Sequence, residues 1–149
     1  MDKDSNIKNL DTYLSLCTEI YELNRPHPPE DAYAFYRDYA KKANGFILEP
    51  MCGSGRFLLP LLEEGFNIHG FDASNHMLEA SYAKAKAKNL EATVWKSFVK
   101  KFKVIIYQQA QLIEMLKSSR FKYIRILKAF DSSKQPSNKD KSIVYECRK

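Results

Sequence analysis

The sequence predicts an α/β protein with a doubly wound, mostly parallel sheet, helices on both faces and an antiparallel strand pair near the C-terminus. Two observations indicate this class. Short apolar segments alternate with segments of helical length from residue 46 onward, and a glycine-rich turn follows the first apolar segment. Parallel neighbours in a sheet require a crossover connection, which a helix between strands supplies.

Two helices are predicted before the first strand. Residues 10–24 place apolar side chains near helical spacing, and the proline-rich segment that follows ends this helix. Pro29, with two acidic residues directly behind it, favours the start of a second helix. We expect that helix to stop at Asn44 and Gly45.

The remaining elements alternate as a doubly wound sheet requires. Ser74 is a favourable N-cap for the helix that follows the second strand. The segment FKVIIY is a strand by composition, and it is either the fourth strand of the sheet or a later one. We expect strands at 46–48, 67–72, 92–95, 102–107, 123–130 and 142–148, and helices at 57–65, 75–89 and 109–119.

Length and composition favour one folded domain over residues 1–149. A chain of this length buries roughly 70% of its unfolded surface, and 44% hydrophobic with 28% charged residues is typical of a globular protein. The domain divides into N-terminal helices (1–44), a first half of the sheet (45–98) and a C-terminal part (99–149). An odd number of dispersed cysteines, Cys17, Cys52 and Cys147, indicates reduced thiols and a cytoplasmic location. No apolar run is long enough to predict a membrane span.

Charge is distributed unevenly along the chain. Residues 1–79 carry 7 Lys/Arg against 13 Asp/Glu, whereas residues 80–149 carry 17 against 5. A basic half can mark a nucleic-acid surface. Patterns such as AKAKAK are also typical of the solvated side of a helix, and we prefer that interpretation, without excluding a nucleic-acid partner.

The residues that carry chemistry are concentrated in EPMCGSGR (49–56), between the first strand and a helix. Gly53 and Gly55 let the backbone approach a ligand closely, and the helix start offers unpaired N–H groups. Two nearby glycines also occur in ordinary tight turns. Asp72 follows 19 residues after Gly53, a position from which a carboxylate can accept both hydroxyls of a ribose, although an ordinary loop aspartate is the alternative.

Glu49 indicates which nucleotide-like cofactor such a turn would hold. A carboxylate at the mouth of the glycine turn repels a pyrophosphate but suits the ammonium group of an amino-acid moiety. S-adenosylmethionine (SAM) has that ammonium group and no phosphate. Leu58 stands where a NAD-binding fingerprint has its third glycine or alanine, which also argues against NAD.

The segment ILEPMCGSGRFLLPLLEEGFNIHGFDASNHMLEAS resembles the opening motifs of class I SAM-dependent methyltransferases, especially those with small-molecule acceptors. The resemblance implies a Rossmann-like fold and SAM as cofactor. It also implies a set of residues that line the methionine part of SAM: Glu49, Met51, Cys52, Gly53 and Gly55. Asp72 would hold the ribose, with Ala73 and Met77 beside the adenine and Lys96, Ser97 and Phe98 at the adenine edge. Tyr21 would belong to an N-terminal lid.

The same resemblance predicts an enzyme, shortened in its C-terminal half. The family's sheet has seven strands and this sequence accounts for six, so the region that builds much of the acceptor pocket is short. We expect methyl transfer to a small molecule and name no catalytic residue. The rival hypothesis is a non-catalytic SAM-binding or protein-interaction module, and a shortened sheet could also form a homodimer through its exposed edge.

Other candidate residues have simpler explanations. His69 and His76 lack partners at metal-ligand spacing, so no metal site is predicted, and His27, near the first helix, could face the active site. Tyr13 and Tyr33, like Tyr21, could close a lid, but aromatic residues at helical spacing are more often part of a core. Cys52 has no histidine near it in sequence, and we do not expect it to be a nucleophile.

Overall fold

The computed structural model describes residues 15–97, 109–137, 139–140 and 142–149. The predicted strand at 102–107, together with Phe98, Tyr13 and the start of the first helix, lies outside these residues. The described elements are α1 (Ser15–Asn24), α2 (Glu30–Ala40), β1 (Ile47–Pro50), α3 (Leu58–Glu63), β2 (Ile68–Asp72), α4 (Asn75–Ala87), β3 (Thr93–Lys96), α5 (Gln109–Ser118), β4 (Tyr123–Lys128) and β5 (Ile143–Arg148).

The described residues belong to two compact units. Unit 1 is drawn from Met1–Pro29 and Arg37–Lys100, and unit 2 from Glu30–Tyr36 and Lys101–Lys149. Helix α2 contributes its first residues to unit 2 and its last residues to unit 1. Each unit is described by itself below.

Unit 1 contains a parallel three-stranded sheet in the order β1-β2-β3. The register pairs Glu49 with Gly70 and Asp72 with Lys96, so the carboxyl ends of the three strands lie at one edge. Right-handed crossovers between strands added in one direction place α3 and α4 on the same face. Both helices contact β2.

The covered face of this sheet is closely packed. Ile68 and Val94 are buried there, together with Leu58 from the start of α3 and Leu78 from α4. Gly70 makes this closeness possible, because a Cβ at this position would lie 2.5 Å from Leu58 Cδ1 and 2.8 Å from the Cys52 side chain. Helix α3 therefore approaches β2 at a distance that only glycine permits.

The opposite face of the sheet carries aromatic side chains. His69 stacks on Phe46 with ring centroids 5.6 Å apart and meets Trp95 edge-on at 6.4 Å. Phe71 lies 6.0 Å from Trp95. The period of two along each strand places these residues on the face away from Ile68 and Val94.

Helix α4 begins as the sequence predicts. The Ser74 side chain accepts a hydrogen bond from the Met77 N–H at 3.3 Å, which satisfies one of the N–H groups that a helix start leaves unpaired. The apolar side of the helix buries Met77, Leu78 and Ala85. The lysines of AKAKAK lie on exposed or half-buried positions, which agrees with a largely solvated helix side.

Unit 2 contains α5 and the antiparallel pair β4-β5. Leu127 of β4 is almost fully buried, and Phe130 packs edge-on against Phe35 and Tyr36 from the first part of α2, with centroids 6.1 and 5.9 Å apart. Glu146 of β5 forms ion pairs with Arg125 at 3.0 Å and with Arg148 at 2.5 Å.

The predicted fold class is confirmed: the protein is mixed α/β, with parallel strands joined by helices and a separate antiparallel pair. Among the boundaries that differ from the prediction, those of β1 and α2 differ most clearly. Strand β1 runs to Pro50, so Glu49 lies within the strand and not after it. Helix α2 ends at Ala40, and the turn that follows it comes before the expected stop at Asn44. Within the described ranges, no helix combines the length and apolar character that crossing a membrane would need.

Candidate cofactor site at the glycine turn

The turn between β1 and α3 depends on left-handed backbone conformations. Gly53 and Gly55 have φ values of +55° and +79°, a region that glycine adopts without steric cost. A Cβ at Gly55 would also lie 2.8 Å from both Leu59 Cγ and Ser81 Oγ. Met51 also has a positive φ, of 54°, and because it carries a side chain its backbone is strained there, as a glycine's would not be.

Asp72 connects the ends of all three strands. Its Oδ2 accepts a hydrogen bond from the Gly53 N–H at 2.9 Å, and its Oδ1 accepts one from the Ser74 N–H at 2.8 Å. Its backbone carbonyl accepts a bond from the Ser97 N–H, at the end of β3, at 2.8 Å. Asp72 thus holds the glycine turn in place and brings its carboxylate to the turn.

Glu49 faces the turn from within β1. Its Oε2 is buried and has no hydrogen-bond partner among the described residues. Burial raises the Glu49 pKa to about 7, and this rise is limited by the positive charge of Arg56 and by a hydrogen bond from the Leu58 backbone. Near neutral pH this carboxyl group therefore titrates, and the approach of a cation would favour its ionised form.

Arg56 is a site residue that the sequence interpretation missed. Its guanidinium lies 5.5 Å from the Tyr21 ring centroid and 5.3 Å from that of Phe57. Its Nε is buried and has no hydrogen-bond partner in the described part of the chain. The position directly after Gly55 could have marked Arg56 as a candidate, because a side chain there starts beside the turn.

Cys52 is buried and lies against Gly70. Burial, together with the negative charges of Glu49 and Asp72, raises the pKa of its thiol to about 12. A nucleophilic cysteine requires its thiolate form. The structure therefore agrees with the expectation that Cys52 is not a nucleophile.

The other predicted site residues lie around this turn to different degrees. Met77 is buried, and its Sδ lies 3.9 Å from where a Gly53 Cβ would be. Ala73 follows β2 directly and is half-buried, as is Ser97 after β3. Met51 is exposed. Tyr21 lies close to the turn through its contact with Arg56. The structure also brings these predicted residues to the turn: Glu49, Cys52, Gly53, Gly55, Asp72 and Met77. Phe98 lies outside the described residues.

The remaining candidates are described by their own surroundings. His69 belongs to the aromatic face of the sheet, His76 lies 3.7 Å from Glu79 one helical turn away, and His27 is exposed. Tyr33 belongs to the part of α2 in unit 2. Among the residues that the structure covers, no three His, Cys, Asp or Glu side chains are placed to hold a metal ion.

Comparison with curated proteins gives one informative match. No family model matches the chain. A protein of Bacillus subtilis (strain 168) named "Putative methyltransferase YqeM" is 31% identical over 70 residues, which are 47% of this chain and 28% of that protein. The chain therefore covers little more than a quarter of this relative. The name of this relative agrees with a resemblance to methyltransferases.

Solved structures overlap with about half of the chain. The CcbJ methyltransferase from Streptomyces caelestis is 30% identical, with 52% of this chain and 32% of that chain covered and a TM-score of 0.41. A SAM-dependent methyltransferase from Clostridium acetobutylicum ATCC 824 is 19% identical, with 58% and 37% covered and a TM-score of 0.44.

Proposed function

We propose that the glycine turn of unit 1 binds SAM through its amino-acid end and that the chain is a SAM-dependent methyltransferase. One observation carries the proposal. Glu49 Oε2 and Arg56 Nε are both buried beside the turn without hydrogen-bond partners among the described residues, and they belong to groups of opposite charge. An ammonium group satisfies the first atom and a carboxylate the second, and the methionine part of SAM carries both.

The ribose of SAM fits the second acidic residue. Each oxygen of the Asp72 carboxylate accepts one backbone N–H. An ionised carboxylate offers about four acceptor positions, so this group can still accept two ribose hydroxyls. Met77 and Ala73 adjoin this position, which supports their assignment to the adenine.

A dinucleotide suits the turn less well. A pyrophosphate at the glycine turn would lie beside the carboxylates of Glu49 and Asp72, in a partly buried setting where like charges repel strongly. Arg56 would offset only part of this repulsion.

The chemistry follows from the cofactor. When bound, SAM would supply an electrophilic methyl carbon on its sulfonium: a nitrogen, oxygen or sulfur of an acceptor would bond to this carbon in line with the breaking C–S bond, and S-adenosylhomocysteine would leave. The residues of the chain would bind and orient the two reactants and exclude water. No side chain on the described surface is assigned as a base, and the resemblance to small-molecule methyltransferases favours a small acceptor. Three free cysteines support a cytoplasmic location.

Calorimetric titration of the purified chain tests this proposal. We expect binding of SAM and of its demethylated product S-adenosylhomocysteine (SAH), with dissociation constants in the micromolar range, and no binding of NAD. Binding of NAD alone, or of none of the three by a folded sample, would contradict the proposed site. Binding of SAM without methyl transfer to any acceptor in a screen would favour the rival non-catalytic module.

A further inference from the structure

Helix α1 has its polar side toward unit 1 and its apolar side toward solvent. Leu16, Ile20 and Leu23 recur at helical spacing and are 64%, 50% and 82% exposed. Thr18 is the buried residue of the helix. Burial of these apolar side chains thus contributes little to holding α1 in place, and its polar contacts must be considered instead.

Glu22 makes the polar contacts that join α1 to the cofactor site. Its carboxylate accepts a hydrogen bond from Ser54 Oγ, and Lys84 Nζ of α4 lies 2.6 Å from its second oxygen. Ser54 stands between Gly53 and Gly55 and is almost fully buried. Glu22 therefore links three parts of unit 1: α1, the glycine turn and α4.

The neighbouring residue of α1 extends this link to the proposed cofactor contacts. The ring of Tyr21 contacts two guanidinium groups, with Arg56 5.5 Å and Arg25 5.9 Å from its centroid. Arg56 in turn acts electrostatically on Glu49. A displacement of α1 would move Tyr21 away from Arg56 and change the surroundings of both charged groups at the turn.

We propose that Glu22 is a positioning residue, which anchors α1 on the glycine turn and thereby sets the affinity for the amino-acid end of the cofactor. This inference rests on the proposed function. Glu22 need not touch the cofactor itself, because it acts through Ser54, Tyr21 and Arg56.

Two ligands separate this role from a general effect on folding. SAH carries the amino-acid end, whereas 5′-methylthioadenosine has the same adenosine and sulfur without it. We expect Glu22→Ala to weaken SAH binding about tenfold, as for residues coupled within one polar network. The affinity for 5′-methylthioadenosine should stay within about twofold, because that ligand does not reach Arg56 or Glu49.

Two further variants serve as controls. Glu22→Gln keeps an acceptor for Ser54 but loses the charge that pairs with Lys84, so it should fold and give an intermediate loss of SAH affinity. Glu19→Ala removes an exposed glutamate of the same helix and should change neither affinity. Circular dichroism establishes that each variant is folded.

The outcomes are distinguishable. Unchanged SAH affinity in both Glu22 variants, or an equal loss for the two ligands, would overturn the positioning role while leaving the proposed function intact. If Glu22→Ala does not fold, Glu22→Gln decides between these results. A wild-type chain that binds neither ligand would overturn the proposed function and the role of Glu22 with it.

Discussion

At the scale of single residues, the buried carboxyl group of Glu49 is the feature with the clearest functional consequence. Its pKa of about 7 means that burial opposes ionisation under ordinary conditions, although Arg56 lies nearby. Because folding raises this pKa from 4.5, the folded chain binds more protons than the unfolded chain between pH 4.5 and 7. The contribution of Glu49 to the free energy of unfolding therefore falls as pH rises through this interval.

Cofactor binding should show the opposite trend with pH. The ammonium group of SAH pairs with the ionised form of Glu49, so SAH affinity should rise about tenfold per pH unit from pH 5.5 and level off above about 7. Calorimetric titration at several pH values up to 7.5 measures this profile. The upper limit keeps the amino group of the ligand protonated.

Glu49→Gln provides the control for that profile. The amide has a similar shape and cannot ionise, so SAH should bind weakly and with little dependence on pH over the same range. A slope as steep as that of the wild-type chain would assign the pH dependence to another group, with the histidines as the next candidates.

Site residues next to a recognisable sequence feature, such as a strand end or a glycine turn, were predictable at this scale. Glu49 and Asp72 could be selected because strand ends and glycine turns are visible in the sequence, and the structure places both at the turn. The partners of these residues were not predictable. The contact of Glu22 with Ser54 joins residues 32 positions apart, and it depends on how α1 packs, which no local pattern encodes.

At the scale of elements, the packing of α3 on β2 depends on Gly70. The atoms that a Cβ would meet, on Leu58 and Cys52, belong to buried side chains with little room to move. Cys52 also belongs to the glycine turn, so a change in this packing would displace the turn that forms the candidate site.

Gly70→Ala should therefore destabilise the protein. Overpacking by one methyl group costs about 1–3 kcal/mol, which should lower the midpoint of urea unfolding and also weaken SAH binding through the displaced turn. Gly45→Ala is the matched control, because no atom lies within 4 Å of its added Cβ. Its effect should stay within about 0.5 kcal/mol. Equal midpoints for the two variants would contradict this account of the α3–β2 contact.

Elements that have both a regular spacing of apolar residues and a capping residue at one end were predicted well. Helix α4 has an apolar side and the Ser74 cap, and its start agrees with the prediction. The end of α2 was placed too late, because Lys41 and Lys42 have good helix propensity while the chain already turns there. Local propensity does not include the tertiary contacts that decide where a helix stops.

At the scale of the whole molecule, the sequence predicted the parallel pairing of the first three strands more readily than the division of the elements into two units. Alternating strands and helices require parallel pairing, and β1, β2 and β3 confirm it. The division of the described residues into two units has no marker in the sequence, since α2 runs through the boundary without a glycine or proline inside it. The single domain, the homodimer and the shortened C-terminal half stay predictions.

The central claim concerns the orientation of one ligand at one turn, and a crystal structure of the protein with SAH tests it most directly. We predict the amino nitrogen of SAH at about 3 Å from Glu49 Oε2, its carboxylate beside Arg56 and its ribose hydroxyls on Asp72. SAH bound away from the glycine turn, or in the turn with its adenine toward Glu49, would contradict the account.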